Sequence, residues 1–218
     1  MKIKGFIFDL DGVIVDTAKY HFLAWKNLAN SLGFDFTETQ NEQLKGVSRV
    51  ESLKKILAWG NTTVSDEKFQ ELMTLKNTEY LEFINKMDDS EILPDVPRVL
   101  DYLIDNKQGV SLGSASKNAK VILEKVHLLS KFKTIVDGND VSKAKPDPEV
   151  FLNAAKSLNI KPEDCVVFED SVAGVQAANT ANMISIGIGS KDVLYEADYI
   201  FNDFTEISTE FINKIINN

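Results

Sequence analysis

Cysteine is almost absent from this chain of 218 residues, which carries one, Cys165. A lone cysteine excludes an internal disulfide framework and a cysteine-based zinc cluster. It stands in the apolar run Cys165-Val166-Val167-Phe168, where a buried thiol acting as a small hydrophobe is the ordinary reading. Proline and glycine are few, at 5 and 11 residues, which excludes a collagen-like or low-complexity chain. Basic charge is also short: 24 Lys and Arg face 33 Asp and Glu, for a net charge of -9. That balance speaks against a surface built for nucleic acid or an anionic membrane. It leaves room for anionic substrates, because a few basic side chains can be gathered in one cleft. Long apolar runs are missing as well. No stretch nears the ~18 apolar residues of a membrane span, and no signal-peptide core follows Met1-Lys2-Ile3-Lys4. The expected location is the cytoplasm and the expected state a monomer.

What is present is a composition of 44% hydrophobic and 26% charged residues, enough at this length for a core without staples. Short apolar, β-rich runs recur at 5–10, 110–113, 134–136, 165–168 and 184–188, with a further candidate at 199–201. Segments of helical period separate the later ones, and that alternation predicts an α/β fold with a parallel sheet covered by helices. Asp95 precedes Val96, Val99, Leu100 and Leu103. Asp147 is expected to cap a helix that has Pro148 at its first position, ahead of Phe151, Ala154, Ala155 and Leu158. The stretch 16–88 breaks the alternation, holding only helical patterns. Phe22, Trp25, Leu28, Ala29 and Leu32 share one face, with Gly33 as terminator. Ser48-Arg49-Val50-Glu51 has the form of a capping box, and a third helix carries Phe69, Leu72, Met73, Tyr80, Phe83 and Ile84. The expected organisation is a discontinuous core domain, 1–15 and 89–218, with an inserted α-helical cap, 16–88.

The end of the first strand reads Asp9-Leu10-Asp11-Gly12-Val13. Carboxylates two residues apart share one side of an extended chain, and ligands of open α/β sheets bind at the carboxyl ends of strands. Two like charges so close call for a cation or a proton between them. One would serve as nucleophile and metal ligand and the other as proton carrier; the plain alternative is a polar turn. Three further strand ends add to this. Gly113-Ser114-Ala115-Ser116-Lys117-Asn118 offers hydroxyls and backbone N–H groups to an anion, or else a Ser116 helix cap. Lys143-Ala144-Lys145-Pro146-Asp147-Pro148 offers Lys145 to a phosphoryl group, or else a solvated lysine. Phe168-Glu169-Asp170-Ser171 offers oxygen ligands to a hard cation such as Mg²⁺, or else a cap from Asp170 or Ser171. Together they supply a nucleophile, a metal site, a hydroxyl donor and a lysine, an inventory for phosphoryl transfer.

Asp9-Leu10-Asp11-Gly12-Val13, Ser114, Lys145-Pro146-Asp147-Pro148 and Glu169-Asp170-Ser171 resemble, in order, the four motifs of the haloacid dehalogenase superfamily, over nearly the whole chain. The resemblance implies a Rossmann-like core and an aspartyl-phosphate on Asp9. It also implies a Mg²⁺ held by Asp9, the Asp11 backbone carbonyl and Asp170, with Glu169 at or beside the metal.

In the helical insertion His21 lies one turn before Trp25, either as a structural histidine or facing the catalytic loop. Lys45-Gly46-Val47-Ser48-Arg49 is either a second anion site at a helix start or a solvated basic loop. Lys76 interrupts an apolar stripe and either snorkels past the core edge or points into a cleft. With the Thr17, His21 and Trp25 spacing, Ser52, Lys76-Asn77 and residues 114–118, these features resemble the β-phosphoglucomutase member family. That resemblance implies interconversion of β-D-glucose 1-phosphate and glucose 6-phosphate through a 1,6-bisphosphate. It implies that Arg49, Lys76 and Asn118 hold the non-reacting phosphate while Trp25, Lys45 and Ser52 line the sugar side, with the remaining residues of 45–49 and 114–118 around the substrate. Asp11 would be general acid and base, Ser114 and Lys145 would stabilise the transferring oxygens, and His21 would couple cap closure to Asp11. The alternative activity is a sugar-phosphate phosphatase of the same fold, which shares every core residue.

Overall fold

The computed structural model describes residues 3–217; Met1 and Lys2, the start of the expected core segment, and Asn218 lie outside them. The chain runs β1 (Gly5–Phe8), α1 (Ala18–Ser31), α2 (Glu38–Glu42), α3 (Arg49–Trp59), α4 (Asp66–Ile84), α5 (Val96–Asp105), β2 (Gly109–Gly113) and α6 (Ala119–Lys125). It continues β3 (Thr134–Val136), α7 (Glu149–Leu158), β4 (Cys165–Glu169), α8 (Val172–Thr180), β5 (Ile184–Ile188), β6 (Tyr199–Phe201) and α9 (Thr209–Asn217). All strand pairs are parallel, in the order β3-β2-β1-β4-β5-β6. This is the Rossmann-like order, and it places β1 and β4 side by side where the winding reverses, the position at which such sheets open a crevice beyond their carboxyl ends.

Burial explains the strand sequences. Every residue of β1, β2 and β4 is buried, as expected for a parallel sheet covered on both faces. Alternate residues go to opposite sides: Phe6, Phe8, Val166 and Phe168 join one apolar cluster with α5, α6 and α9, while Ile7, Cys165 and Val167 join another with α7 and α8. Phe8 and Phe168 stack with ring centroids 4.6 Å apart across the β1–β4 pair. Burial pushes the Cys165 thiol up to about 12, so it is an inert packing group. The helices α1–α4 bury a third cluster of their own, built from Trp25, Leu28, Phe36, Leu53, Ile56 and Leu72. No helix among the described residues is long and apolar enough to cross a membrane.

The strands form where their apolar runs predict them, with small shifts of boundary. β1 stops at Phe8 and not at Leu10, because the chain turns there: Ile14 N and Val15 N both donate back to the Leu10 carbonyl. The helix after Asp147 begins at Glu149, with Pro148 at the cap position, yet the Asp147 carboxylate still accepts from Glu149 N at 3.1 Å. Only half of the expected capping box at α3 forms. Ser48 Oγ accepts from Glu51 N, while the Glu51 carboxylate turns outward to Lys54 Nζ at 2.7 Å. Asp95 does not cap α5 through its side chain; its backbone is left-handed and its carboxylate holds Arg98. The short helix α2 was not expected, although Thr37-Glu38-Thr39-Gln40 is a capping box that forms completely.

Candidate active site

The carboxyl ends of β1, β2 and β4, the first halves of α1 and α3 and the middle of α4 enclose a cavity of about 440 Å³, within the size range of small-molecule sites. Every residue that sequence reasoning assigned to the site lines this cavity except Thr17 and Glu169, which sit directly behind it. Its two walls carry different charge.

The floor is acidic. Asp9 and Asp170 follow the neighbouring strands β1 and β4, so their carboxylates meet across the switch point. Lys145 Nζ, brought in by the loop after β3, donates to Asp9 Oδ1 and to Glu169 Oε1, each at 2.6 Å. All three side chains are nearly fully buried. Burial alone would pull the Lys145 pKa down, but the Asp9 and Glu169 carboxylates outweigh it and hold it above its ordinary value. Burial pushes Asp9 and Asp170 upward; Lys145 opposes the shift, and the crowding of Glu169 with the two aspartates adds to it. Both Glu169 oxygens have partners: the other oxygen accepts from Ser171 N at 2.6 Å and from Ser171 Oγ at 3.0 Å. It therefore stands beside the aspartates as a support for Lys145, next to the expected metal position. Ser171, one of the two expected caps of α8, also accepts from Gly174 N at 3.1 Å.

The donor set fits Mg²⁺. Among the described residues no three His, Cys, Asp or Glu side chains converge as ligands. What converges is two oxygen-bearing aspartates, each charged form disfavoured by burial, which is the deficit that a hard cation corrects. Gly12 makes the approach possible: at φ +78° a Cβ there would stand 2.2 Å from Asp170 Oδ2.

Asp11 lies between floor and lid. The Thr17 hydroxyl donates to its Oδ1, and His21 Nε2 stands 3.8 Å from the same oxygen. Burial pushes the Asp11 pKa up, and the Thr17 hydrogen bond opposes the shift. Burial, then Lys76 and Arg49, hold His21 well below its usual value, so its imidazole is neutral. Lys76 Nζ lies 2.9 Å from His21 Nδ1; an ammonium can only donate, so the charged form of Lys76 leaves the ring proton on Nε2, facing Asp11.

The lid is basic and aromatic. Lys76, only 2% exposed, has no carboxylate within ion-pair distance among the described residues. Its ammonium lies 4.3 Å from the centroid of the Tyr80 ring and 4.9 Å from that of Trp25. Burial, then Arg49, lower its pKa to about 7. The stripe-breaking lysine thus turns into the cleft. Tyr80, read from the sequence as a core aromatic, is the platform for both Lys76 and His21, whose ring centroid is 4.3 Å away.

Lid and floor touch through Lys45 Nζ, 3.6 Å from Asp170 Oδ2, and through Asn118 Nδ2, which donates to Asn77 Oδ1 at 3.0 Å. Ser116 does not stand at the cap of α6; Asn118 does, while Ser116 Oγ accepts from Asn118 N at 3.3 Å.

A family model described as haloacid dehalogenase-like hydrolase matches residues 3–182. The chain is 40% identical over 214 residues to a β-phosphoglucomutase of Bacillus subtilis, covering 97% of this chain and 95% of that one. It is 30% identical over 183 residues to a phosphorylated carbohydrates phosphatase of Thermotoga maritima, covering 83% of this chain and 82% of that one. Among solved structures, a β-phosphoglucomutase from Clostridium difficile superposes with a TM-score of 0.95 at 40% identity, covering 99% of this chain and 98% of that one.

Proposed function

The chain belongs to the haloacid dehalogenase-like hydrolases, and from that membership and the two walls of its cavity we propose that it is a β-phosphoglucomutase. It interconverts β-D-glucose 1-phosphate and D-glucose 6-phosphate through an aspartyl-phosphate enzyme and β-glucose 1,6-bisphosphate. The observation that carries the reading is Lys76: a buried cation without a carboxylate partner among the described residues, beside Arg49, in the wall opposite the reacting carboxylates. A phosphatase needs only the floor. A mutase must hold one phosphate while the other reacts, and the lid supplies that second grip.

Asp9 attacks the phosphoryl group and Lys145, already on its Oδ1, neutralises charge on the transferring oxygens together with Ser114. Asp9, Asp170 and the Asp11 carbonyl would hold Mg²⁺, which supplies Lewis-acid stabilisation of phosphoryl oxygens when bound. Asp11 takes the proton of the attacking sugar hydroxyl and returns one to the leaving oxygen. To do so it must exchange its Thr17 hydrogen bond for the substrate, and the neutral His21 Nε2–H is placed to hold it there. Arg49, Lys76 and the 116–118 loop grip the resting phosphate, and Trp25, Lys45 and Ser52 face the sugar. Closing residues 16–88 over the core formed by 1–15 and 89–218 excludes water, which favours a sugar hydroxyl as acceptor. A charged sugar phosphate as substrate accords with a cytoplasmic enzyme.

Phosphorus NMR of the protein with Mg²⁺, β-glucose 1-phosphate and a trace of the bisphosphate tests the reading. Glucose 6-phosphate is the expected product; free glucose with inorganic phosphate would replace the mutase with a phosphatase.

A further inference from the structure

The loop 114–118 carries both phosphate sites of the proposed reaction, with Ser114 and Ala115 at the transferring group and residues 116–118 at the resting one. It has no secondary structure to hold it, since it lies between the end of β2 and the start of α6. Its own hydroxyls brace it, with Ser114 Oγ accepting from Ser116 N and Ser116 Oγ from Asn118 N, and Asn77 meets its far end; its remaining anchors are the end of β3 and the turn that follows. Ser114 N donates to the Val136 carbonyl at 3.0 Å, and Gly138 N donates to the Ser116 carbonyl at 3.2 Å. The Asn139 side-chain amide donates to the Lys117 carbonyl at 3.1 Å and to Asp137 Oδ1 at 2.9 Å. Asp137 is buried, and its Oδ1 also accepts from Asn139 N at 2.8 Å, so the amide that reaches Lys117 is itself fixed at its base. Gly138 lies in the cavity wall against the backbone of the loop. A Cβ at this position would stand 2.3 Å from the Ala115 carbonyl oxygen, and a backbone atom cannot swing aside as a side chain can.

We propose that the turn Asp137-Gly138-Asn139 is the positioning element of both phosphate sites: Gly138 sets how closely the whole loop seats, and Asn139 positions the part that grips the resting phosphate. The inference rests on the mutase reading for the identity of the two phosphates. Holding the Lys117 carbonyl fixes the plane of the peptide that joins Lys117 to Asn118, and with it the directions in which both side chains leave the chain. Ser114 is anchored separately, through Val136, and does not depend on the Asn139 amide. The two residues should therefore fail differently.

The test compares Asn139→Ala and Gly138→Ala with the unaltered protein, using β-glucose 1-phosphate as acceptor and acetyl phosphate as a small phosphoryl donor that needs the floor alone. Loss of one hydrogen bond predicts that Asn139→Ala raises KM for β-glucose 1-phosphate about fivefold. Its kcat and its consumption of acetyl phosphate should stay within about twofold of the unaltered protein. Gly138→Ala should slow both reactions, because it displaces Ala115 as well. Thermal melts separate this from unfolding: Asn139→Ala should melt within a few degrees of the parent. An unchanged KM in Asn139→Ala, or an equal loss of both reactions, would overturn the inference. Failure of the mutase reading looks different, since the unaltered protein would then release inorganic phosphate. The KM of that hydrolysis for the same sugar phosphate would still decide the role of Asn139.

Discussion

The floor and the lid of the cavity handle buried charge in opposite ways. On the floor, Lys145 lies at hydrogen-bond distance from two carboxylates, and those carboxylates hold its proton more firmly than water would. In the lid, Lys76 is equally buried but rests on aromatic faces and a neutral imidazole, and its proton is held more weakly. A paired charge is complete before substrate arrives; an unpaired one destabilises the fold until an anion joins it. On the proposed reading, that difference puts chemistry on the floor and recognition in the lid.

The floor breaks most sharply. Asp9→Asn keeps the shape and removes the nucleophile and the charge, so turnover should fall by about 10⁴-fold or more, read in a coupled assay for glucose 6-phosphate. Substantial activity in that variant would mean that no aspartyl-phosphate forms at Asp9. Next in size is Asp11→Asn, where loss of the acid–base group should cost about 10²- to 10⁴-fold in kcat with sugar phosphate still bound. A loss below about tenfold would make Asp11 a structural group. The smallest effect is on stability and has the opposite sign. Lys76→Met removes an unpaired buried cation and should raise Tm by roughly 2–4 °C for each kcal/mol gained, while impairing the mutase reaction. The pH window follows from the lowered pKa of Lys76. Below about 7 both folded and unfolded chains carry the proton and the cost of burial is fully present. Between about 7 and 10.5 the folded chain sheds a proton that the unfolded chain keeps, so the protein gains stability as pH rises. The advantage of Lys76→Met should therefore be largest below pH 7 and vanish toward 10.5 in melts across that range.

Most of the floor was legible in the sequence because its residues sit at fixed offsets from strand ends, and apolar strands in a buried parallel sheet announce themselves. The same logic located the lid's Lys76, since a lysine on an apolar stripe breaks a period. Three things were harder to read. The hold of Glu169 on Lys145 depends on a contact between separate loops, although its bond to Ser171 is local. Tyr80 serves packing and positioning with one ring, and its helical spacing records only the packing. Gly138 and Asn139 act through backbone atoms of a loop more than twenty residues away, and a Gly-Asn turn looks the same whether or not it supports anything.

The division between floor and lid is tested most directly by the ratio of two rates in Arg49→Ala: transfer to β-glucose 1-phosphate over hydrolysis of acetyl phosphate. A charged hydrogen bond to phosphate is worth about 1.5–3 kcal/mol, so the ratio should fall by roughly 10- to 100-fold relative to the unaltered protein. An unchanged ratio, whether both rates hold or both fall together, would contradict a lid that grips the resting phosphate.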